Sequence, residues 1–407
     1  MTGSTIDHLV SVTVFLGATL LFIGLFNQTI QTAITYQRHR HLAARCSDIL
    51  DNMLLNPGYP VDWGTRNCYP TSFGIQDPEF TQYRISPFSL MRLQSSVGTP
   101  IYFNATGLYY SNITMGFGNY LLVPYTLSVN YSTASKLLGL HNTFGFRLVL
   151  EPTISVSVEE IQPADPLVLT LEVTGSGFPL SHATLSYCFL KVVEKGAQNN
   201  PSYTCSFNTT VTDEKGEAML SFPNVGAEDS YAIIAYAHMS GLMGIGFRER
   251  ASGTKRYAIP FIDSFEDRRV LLAHSYDVHY YGPPESAVFY NATFVLLTED
   301  FTLREMPIQA GKLGKIVYGK GSEKTYENVT IPTFNPGILI VTYESNNEFG
   351  VVLMPWGISS MAFPTIFGDD PLGKEWVATD ARQVTVNNVA YQAKLALWSL
   401  EPYGVIA

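Results

Sequence analysis

The chain has 407 residues, of which 46% are apolar and 15% charged, and its formal net charge is −10. That apolar content supplies large cores over two or three domains and excludes a wholly disordered chain. An acidic balance with no basic tract in the body also argues against nucleic acid as a partner.

The first element is apolar. Leu9 to Phe26 carries no formal charge, and the uncharged run continues to Gln37, which is enough helix to cross a hydrocarbon layer of about 30 Å. A secretory signal has a basic start and a small-x-small cleavage site. "MTGSTIDH" has neither Lys nor Arg and nothing like Ala-x-Ala follows, so the segment reads as retained. Beyond Phe26, Ile30, Ile34, Leu42, Cys46, Ile49 and Met53 recur at spacings of three, four or eight, with Arg38, Arg40, Arg45 and Asp48 between them. That is an amphipathic helix. The first breaker after Gly24 is Pro57 in "LNPGYP", so the sequence predicts one rod of roughly 50 residues and roughly 75 Å. The alternative is a spanning helix and a separate packed helix, with a break between Asn27 and Thr32. In a continuous rod the apolar stripe above the membrane must be covered, either by the body or by other helices.

A hydrophobic and then amphipathic helix followed by "LLNPGYPVDWG" resembles the spine of membrane-anchored, pilin-like surface proteins found widely in archaea. The resemblance covers residues 5 to 65 and touches "SPFSLMRL" at 86–93 and "ASKLLGLHNTFGFRLVLEP" at 134–152. It implies a single-pass anchor, a β-rich head and contacts between subunits through the helix. Such proteins carry a basic residue and a glycine before the apolar run, and "TGSTID" has only the glycine.

After residue 60 the chain is strand-like. The expected division is a transmembrane and amphipathic helix (1–57), a membrane-proximal α+β segment (58–150), an Ig-like β-sandwich (151–252) and a C-terminal β-rich domain (253–407). In the sandwich, about seven short alternating segments run from "TISVSVEE" to "GIGFRER". "TVTDEKGEAMLSFPNV" resembles the Asp-x-x-Gly hairpin of bacterial and archaeal Ig-like modules, with Asp213 and Gly216 as turn residues. Whether 58–150 packs on the C-terminal block or forms its own cap is not decided by the sequence. The fold class is mainly β, a long helix followed by antiparallel sandwiches.

Arg38, Arg40 and Arg45 flank the span on its C-terminal side, which by the positive-inside rule places the body in the cytoplasm. Seven Asn-x-Ser/Thr sequons, at Asn27, Asn104, Asn112, Asn130, Asn208, Asn291 and Asn328, argue for the other side. So does the grouping of the cysteines into Cys46 with Cys68 and Cys188 with Cys205. A Cys188–Cys205 bridge closes one hairpin and contributes about 3 kcal/mol on the chain-entropy model. A Cys46–Cys68 bridge ties the helix to the first globular segment. Four cysteines allow three connectivities, and four free thiols are the alternative. The expected location is the cell membrane, single-pass, with the body extracellular and Asn104, Asn112, Asn130, Asn208, Asn291 and Asn328 as glycosylation sites.

Chemistry is sparse. His274, Asp277 and His279 in "HSYDVH" form the best metal-like cluster, yet on a strand His274 points away from the other two. The acid pairs Glu159/Glu160, Glu299/Asp300 and Asp369/Asp370 face apart on strands, whereas a glycosidase needs converging carboxyls. "FGDDPLG" reads as a solvated turn or a Ca²⁺ loop. No Gly-x-Ser-x-Gly, phosphate loop, His-Glu-x-x-His or Cys-x-x-Cys occurs. The expectation is a non-enzymatic surface protein without catalytic residues, metal or cofactor, in a structural, adhesive or assembly role. Its partners are membrane lipid and other subunits through the helix, in a homo-oligomer or a membrane complex. The alternative is an accessory subunit of a membrane-bound enzyme whose β domains cap its external face.

Overall fold

The computed structural model describes all residues except 1, 81, 94–99, 116–118, 196–199, 254–255, 280–285, 299, 316–322, 358–363 and 401–407. One helix, α1 (Thr2–Leu55), spans 54 residues without a break, or about 81 Å. The interruption that would separate two helices between Asn27 and Thr32 is absent. Thr13, Thr19, Thr29 and Thr32 each donate their hydroxyl to the carbonyl four residues back at 2.8 Å, so these polar groups are satisfied within the helix itself. The helix stops where Pro57 removes a donor. Asn56 Oδ1 accepts from the Gly58 N–H at 2.9 Å, and Gly58 turns the chain at φ +81°, where a Cβ would lie 2.6 Å from the Ser72 carbonyl oxygen.

Among the described residues the strands form four sheets. The largest contains β1 (Arg84–Ile85), β22 (Ala378–Val386), β23 (Val389–Ser399), β13 (Leu242–Arg250), β12 (Tyr231–Met239), β9 (Thr184–Lys195) and β10 (Pro201–Val211) in that order, with β5 (Phe144–Pro152) on β23 and β21 (Thr365–Gly368) on β5. A second sheet holds β11 (Glu217–Phe222), β7 (Leu167–Gly175), β6 (Ile154–Gln162) and β8 (Phe178–Pro179). A third runs β18 (Tyr326–Thr330), β15 (Arg269–His274), β14 (Ala258–Ser264), β4 (Asn119–Pro124), β3 (Leu108–Met115), β2 (Ile101–Phe103). The fourth runs β17 (Leu303–Leu313), β16 (Val288–Leu297), β19 (Gly337–Ser345), β20 (Glu348–Trp356). Three short helices, α2 (Pro87–Met91), α3 (Tyr131–Leu137) and α4 (Ser275–His279), connect them.

The segment 58–150 does not form its own cap. Its strands β2–β4 complete the third sheet beside β14, and β5 lies antiparallel to β23 from Phe144 opposite Ser399 to Pro152 opposite Tyr391. The sandwich is inserted between β5 and β14, and its core runs from Ile154 to Ala237, with Leu167, Leu169, Leu171 and Val173 facing Leu185, Ile233 and Ala235. Glycines let its two sheets approach closely. A Cβ on Gly244 would lie 2.6 Å from Ile154 Cγ2, and one on Gly246 would overlap the Val156 carbonyl oxygen.

The Asp-x-x-Gly turn forms, but the two strands it joins do not pair with each other. Asp213 Oδ1 accepts from the N–H of Lys215 at 2.8 Å and of Glu217 at 2.9 Å, and Gly216 takes φ +78°. The Glu217 bond, assisted by that of Lys215, holds the Asp213 carboxyl below its usual range. However, β10 pairs with β9 while β11 pairs with β7, so the turn carries the chain from one sheet to the other and makes no hairpin.

The loop beyond α1 is fastened by a buried cation. Arg92 follows α2 and is fully enclosed. Its guanidinium donates to the carbonyls of Leu127 at 2.9 Å and Arg66 at 3.0 Å, and to those of Trp63 and Cys68. The guanidinium carbon lies 4.9 Å from the Trp63 ring centre. Burial lowers its pKa to about 10, and carbonyl dipoles replace the lost water.

Replacing Gly246 by Val should destabilise the body by about 1 to 3 kcal/mol through overpacking against β6, read as a lower melting midpoint. An unchanged midpoint would mean that β6 and β13 are not in close contact.

Candidate functional site

The helix changes surroundings between Arg38 and Leu42. Among the described side chains, those from Ile6 to Arg38 are exposed, and the window that fits a membrane span is 0% buried within the protein. From Leu42 onward one face is covered: Leu42, Cys46, Ile49, Leu50, Met53 and Leu54 are buried in the main core where α1 packs on β22 and β23. Each such side chain contributes on the order of 1.5 to 3 kcal/mol relative to exposure. Four of the six stripe residues picked out by periodicity are thus covered by the chain's own body, while Ile30 and Ile34 are not. Leu50 and Leu54 broaden the stripe.

Polar contacts set the helix in register. Arg382 on β22 donates to Asp51 Oδ1 at 3.0 Å, to Ser47 Oγ at 2.9 Å and to Asp380 Oδ1 at 2.8 Å. Tyr83 donates to Asp51 at 3.1 Å. The Asp51 and Asp380 carboxylates raise the Arg382 pKa above its ordinary value. At the upper edge of the seat, the His39 ring stacks on Trp376 with 3.5 Å between centres and 5° between planes.

Cys46 is enclosed by this seat. Its sulfur lies 3.4 Å from the Leu395 carbonyl oxygen and 3.6 Å from that of Ala378. Burial, with Asp380 adding to it, pushes the thiol up to about 11. Cys46 and Cys68 are separate free thiols; the first faces β22 and β23, and the second lies in the loop fastened by Arg92. The other pair meets. Cys188 lies opposite Phe207 and Cys205 opposite Leu190, so the two cysteines are diagonal neighbours on the β9–β10 ladder, and their sulfurs are 3.1 Å apart as thiols. The contact with Cys205, together with burial, raises the Cys188 pKa.

"HSYDVH" is not a strand. His274 ends β15 with its ring buried, and residues 275–279 form α4. The His274 Nδ1 accepts from the Tyr276 N–H at 3.1 Å, so Nε2 carries the proton and donates to the Ser286 carbonyl at 3.0 Å. Burial lowers its pKa. Both ring nitrogens are engaged, and among the described residues no group of three His, Cys, Asp or Glu side chains is placed to hold a metal ion. The His279 side chain lies outside the described residues.

Glu159 is exposed, whereas Glu160 turns inward to Tyr231 at 2.5 Å and Arg250 at 3.4 Å. Asp370 pairs with Arg147 at 3.2 Å. Glu299 lies outside the described residues. Of the sequons, Asn104, Asn208 and Asn328 are exposed and Asn27 lies in the helix. Asn130 is half-buried as the N-cap of α3, accepting from Thr133 at 2.9 Å, and Asn291 is half-buried on β16 between two neighbouring strands. The Asn112 side chain lies outside the described residues.

A groove of about 960 Å³ runs between residues 61–88, the ends of β16 and β17 and the turn at Asn387 and Asn388. Its charges are largely paired: Asp62 with Arg66 at 2.6 Å, and Asp77 with Arg84 at 3.5 Å. The Arg84 guanidinium lies 3.4 Å over the Phe80 ring. Burial pushes Asp77 up from its ordinary range despite that arginine. Its lining includes no Ser–His or Cys–His pair.

Taken together, fold and site define a mainly-β protein with one N-terminal helix long and apolar enough to cross a membrane. No family model matches the chain, and no curated protein matches it. Solved structures give remote likenesses. Native alpha-2-macroglobulin of Escherichia coli is 13% identical with a TM-score of 0.21 over 68% of this chain and 19% of that one. Its trypsin-activated form is 12% identical with a TM-score of 0.20 over 68% and 20%. Red sea bream transglutaminase is 11% identical with a TM-score of 0.18 over 69% and 40%. The chain spans two-fifths or less of these proteins, and the likeness carries no functional assignment.

Leu50→Ala should cost the body about 2 to 5 kcal/mol, measured by denaturant unfolding of the full chain in detergent; an unchanged midpoint would mean that the helix is not part of the core. Because Cys46 keeps its proton up to about pH 11 in the folded state, whereas an unfolded thiol ionises near 8.5, its contribution to stability should fall as pH rises between these values. Alkylation at pH 8 should spare Cys46 in native protein, and rapid labelling there would contradict its seat.

Proposed function

We propose that the chain is a single-pass surface protein whose helix fixes a β-rich body outside the cell membrane, in a structural, adhesive or assembly role of pilin-like character. The observation that carries this reading is the division of α1, exposed and uncharged from Leu9 to Gln37 and then built into the core from Leu42. A helix so divided holds the body at a fixed height and orientation, as a flexible tether does not. Extracellular placement is supported by the exposed sequons at Asn104, Asn208 and Asn328 and by the adjacent sulfurs of Cys188 and Cys205. Ile30 and Ile34, left exposed beyond the body, favour contact with further helices, in a filament of identical chains or beside the subunits of a membrane complex.

The protein should fractionate with membranes, and deletion of residues 1–35 should release a soluble, folded body, because that deletion spares every helix residue in the core. A truncated body that resists carbonate extraction would overturn the single-anchor reading. Protease treatment of intact cells, combined with intact-mass measurement, tests the side and the glycans: cleavage of the body and added sugar mass support the proposal, while full protection and an unmodified mass contradict it. Non-reducing peptide mapping should recover Cys188 linked to Cys205, and free thiols at both positions in native protein would weigh against an oxidising compartment.

A further inference from the structure

We propose that the turn at residues 369–377 is a second, interfacial membrane contact, through which Leu372 and Trp376 seat the body on the bilayer beside the helix. The proposal rests on the reading of α1 as a membrane span.

The first argument is a ruler. The uncharged stretch Leu9 to Gln37 is 29 residues of unbroken helix, about 44 Å long. A bilayer including its head groups is about 40 to 45 Å thick. Laid across that thickness, about 20 of its residues, roughly Thr13 to Thr32, cross the hydrocarbon of about 30 Å, about 7 Å at each end lies among the head groups, and the cluster Arg38–His41 falls at the outer boundary. Tyr36, 69% exposed, falls within the interfacial zone where amphipathic aromatic rings concentrate.

The second argument places the turn at that height. The Trp376 indole is stacked on His39, two residues beyond Gln37, the end of the uncharged run. Trp376 is nevertheless 42% exposed, and Leu372, at the tip, is 86% exposed. Nor is this a floppy excursion. The preceding strand, β21, pairs with β5, and the following strand, β22, pairs with β23. Asp370 is held by Arg147 and accepts from the Leu372 N–H at 3.0 Å. The Lys374 N–H donates to the Pro371 carbonyl at 3.1 Å, with Gly373 at φ +76° completing the turn.

A single exposed leucine means little. A braced turn that sets tryptophan beside the end of the uncharged helix and carries an exposed leucine four residues earlier fits the head-group and acyl boundary, where one side of an indole is apolar and the other wet. Two such side chains give a shallow contact that sets tilt and rotation, while α1 supplies the anchorage.

Tryptophan emission tests this directly, because Trp63, Trp356 and Trp398 are fully buried and Trp376 is the exposed one. The full chain is placed in phosphatidylcholine nanodiscs containing a phospholipid spin-labelled near its head group. Emission should be quenched by the labelled lipid and protected from aqueous acrylamide. Trp376→Phe should abolish the lipid-dependent quench. Leu372→Ser, which leaves all four indoles in place, should diminish it. Emission quenched by acrylamide and untouched by the labelled lipid would overturn the proposal. A parallel flotation at alkaline pH separates the two levels: a chain that floats with lipid but shows no lipid quench retains its span and loses the interfacial turn, whereas a chain that fails to float overturns both.

Discussion

Everything else in this molecule depends on the burial of one helix face. An apolar helix stripe cannot stand bare in water, and here the chain itself covers the stripe from Leu42 to Leu54 with β22 and β23. The apolar contact is non-directional, so the ion pair of Arg382 with Asp51 and its bond to Ser47 define which face of the helix meets the sheet. Exposed ion pairs are worth little in energy, but a pair that links a helix to a strand 331 residues away in sequence specifies register at small cost.

The covering strands come from the far end of the chain, and this explains the topology. β22 and β23 reach the helix only if the intervening sequence returns to it. The return is secured by β5, which pairs along β23 before the sandwich is inserted. Arg92 serves the same end locally, drawing the carbonyls of the post-helical loop and of Leu127 around one guanidinium. Segments 58–150 and 253–407 are therefore interleaved in shared sheets, and the sandwich joins the largest of these through Met243 opposite Val389.

Much of the helix was legible in the sequence because two signals agree there: an uncharged apolar run for lipid, and a spacing of three and four for a covered face. Periodicity found Leu42, Cys46, Ile49 and Met53. It missed Leu50 and Leu54 because a sheet covers a wider arc of a helix than a narrow stripe describes. Long-range partners such as Arg382 and Trp376 leave no local mark. "HSYDVH" was misleading for a local reason: alternation suggests a strand, but the His274 ring accepts from the Tyr276 N–H and so caps a helical turn. Asp213 and Gly216 announced their turn correctly and were silent about its destination, since pairing with β7 rather than β10 is settled by which core Ala218 and Leu220 enter. The cysteine spacing brought 188 and 205 together through a hairpin, whereas Cys46 and Cys68 are separated by what the helix buries.

The account's central claim is that one unbroken helix runs from the lipid phase into the protein core. Amide hydrogen exchange of the full chain in lipid nanodiscs measures this most directly, because it reads backbone protection along the very segment where a break would fall. The claim predicts continuous protection from the apolar run through Leu55, including residues 27–32, with the strongest protection beyond Leu42. Rapid exchange confined to 27–32, flanked by protected segments, would contradict it and divide the helix into a membrane anchor and a separate element of the body.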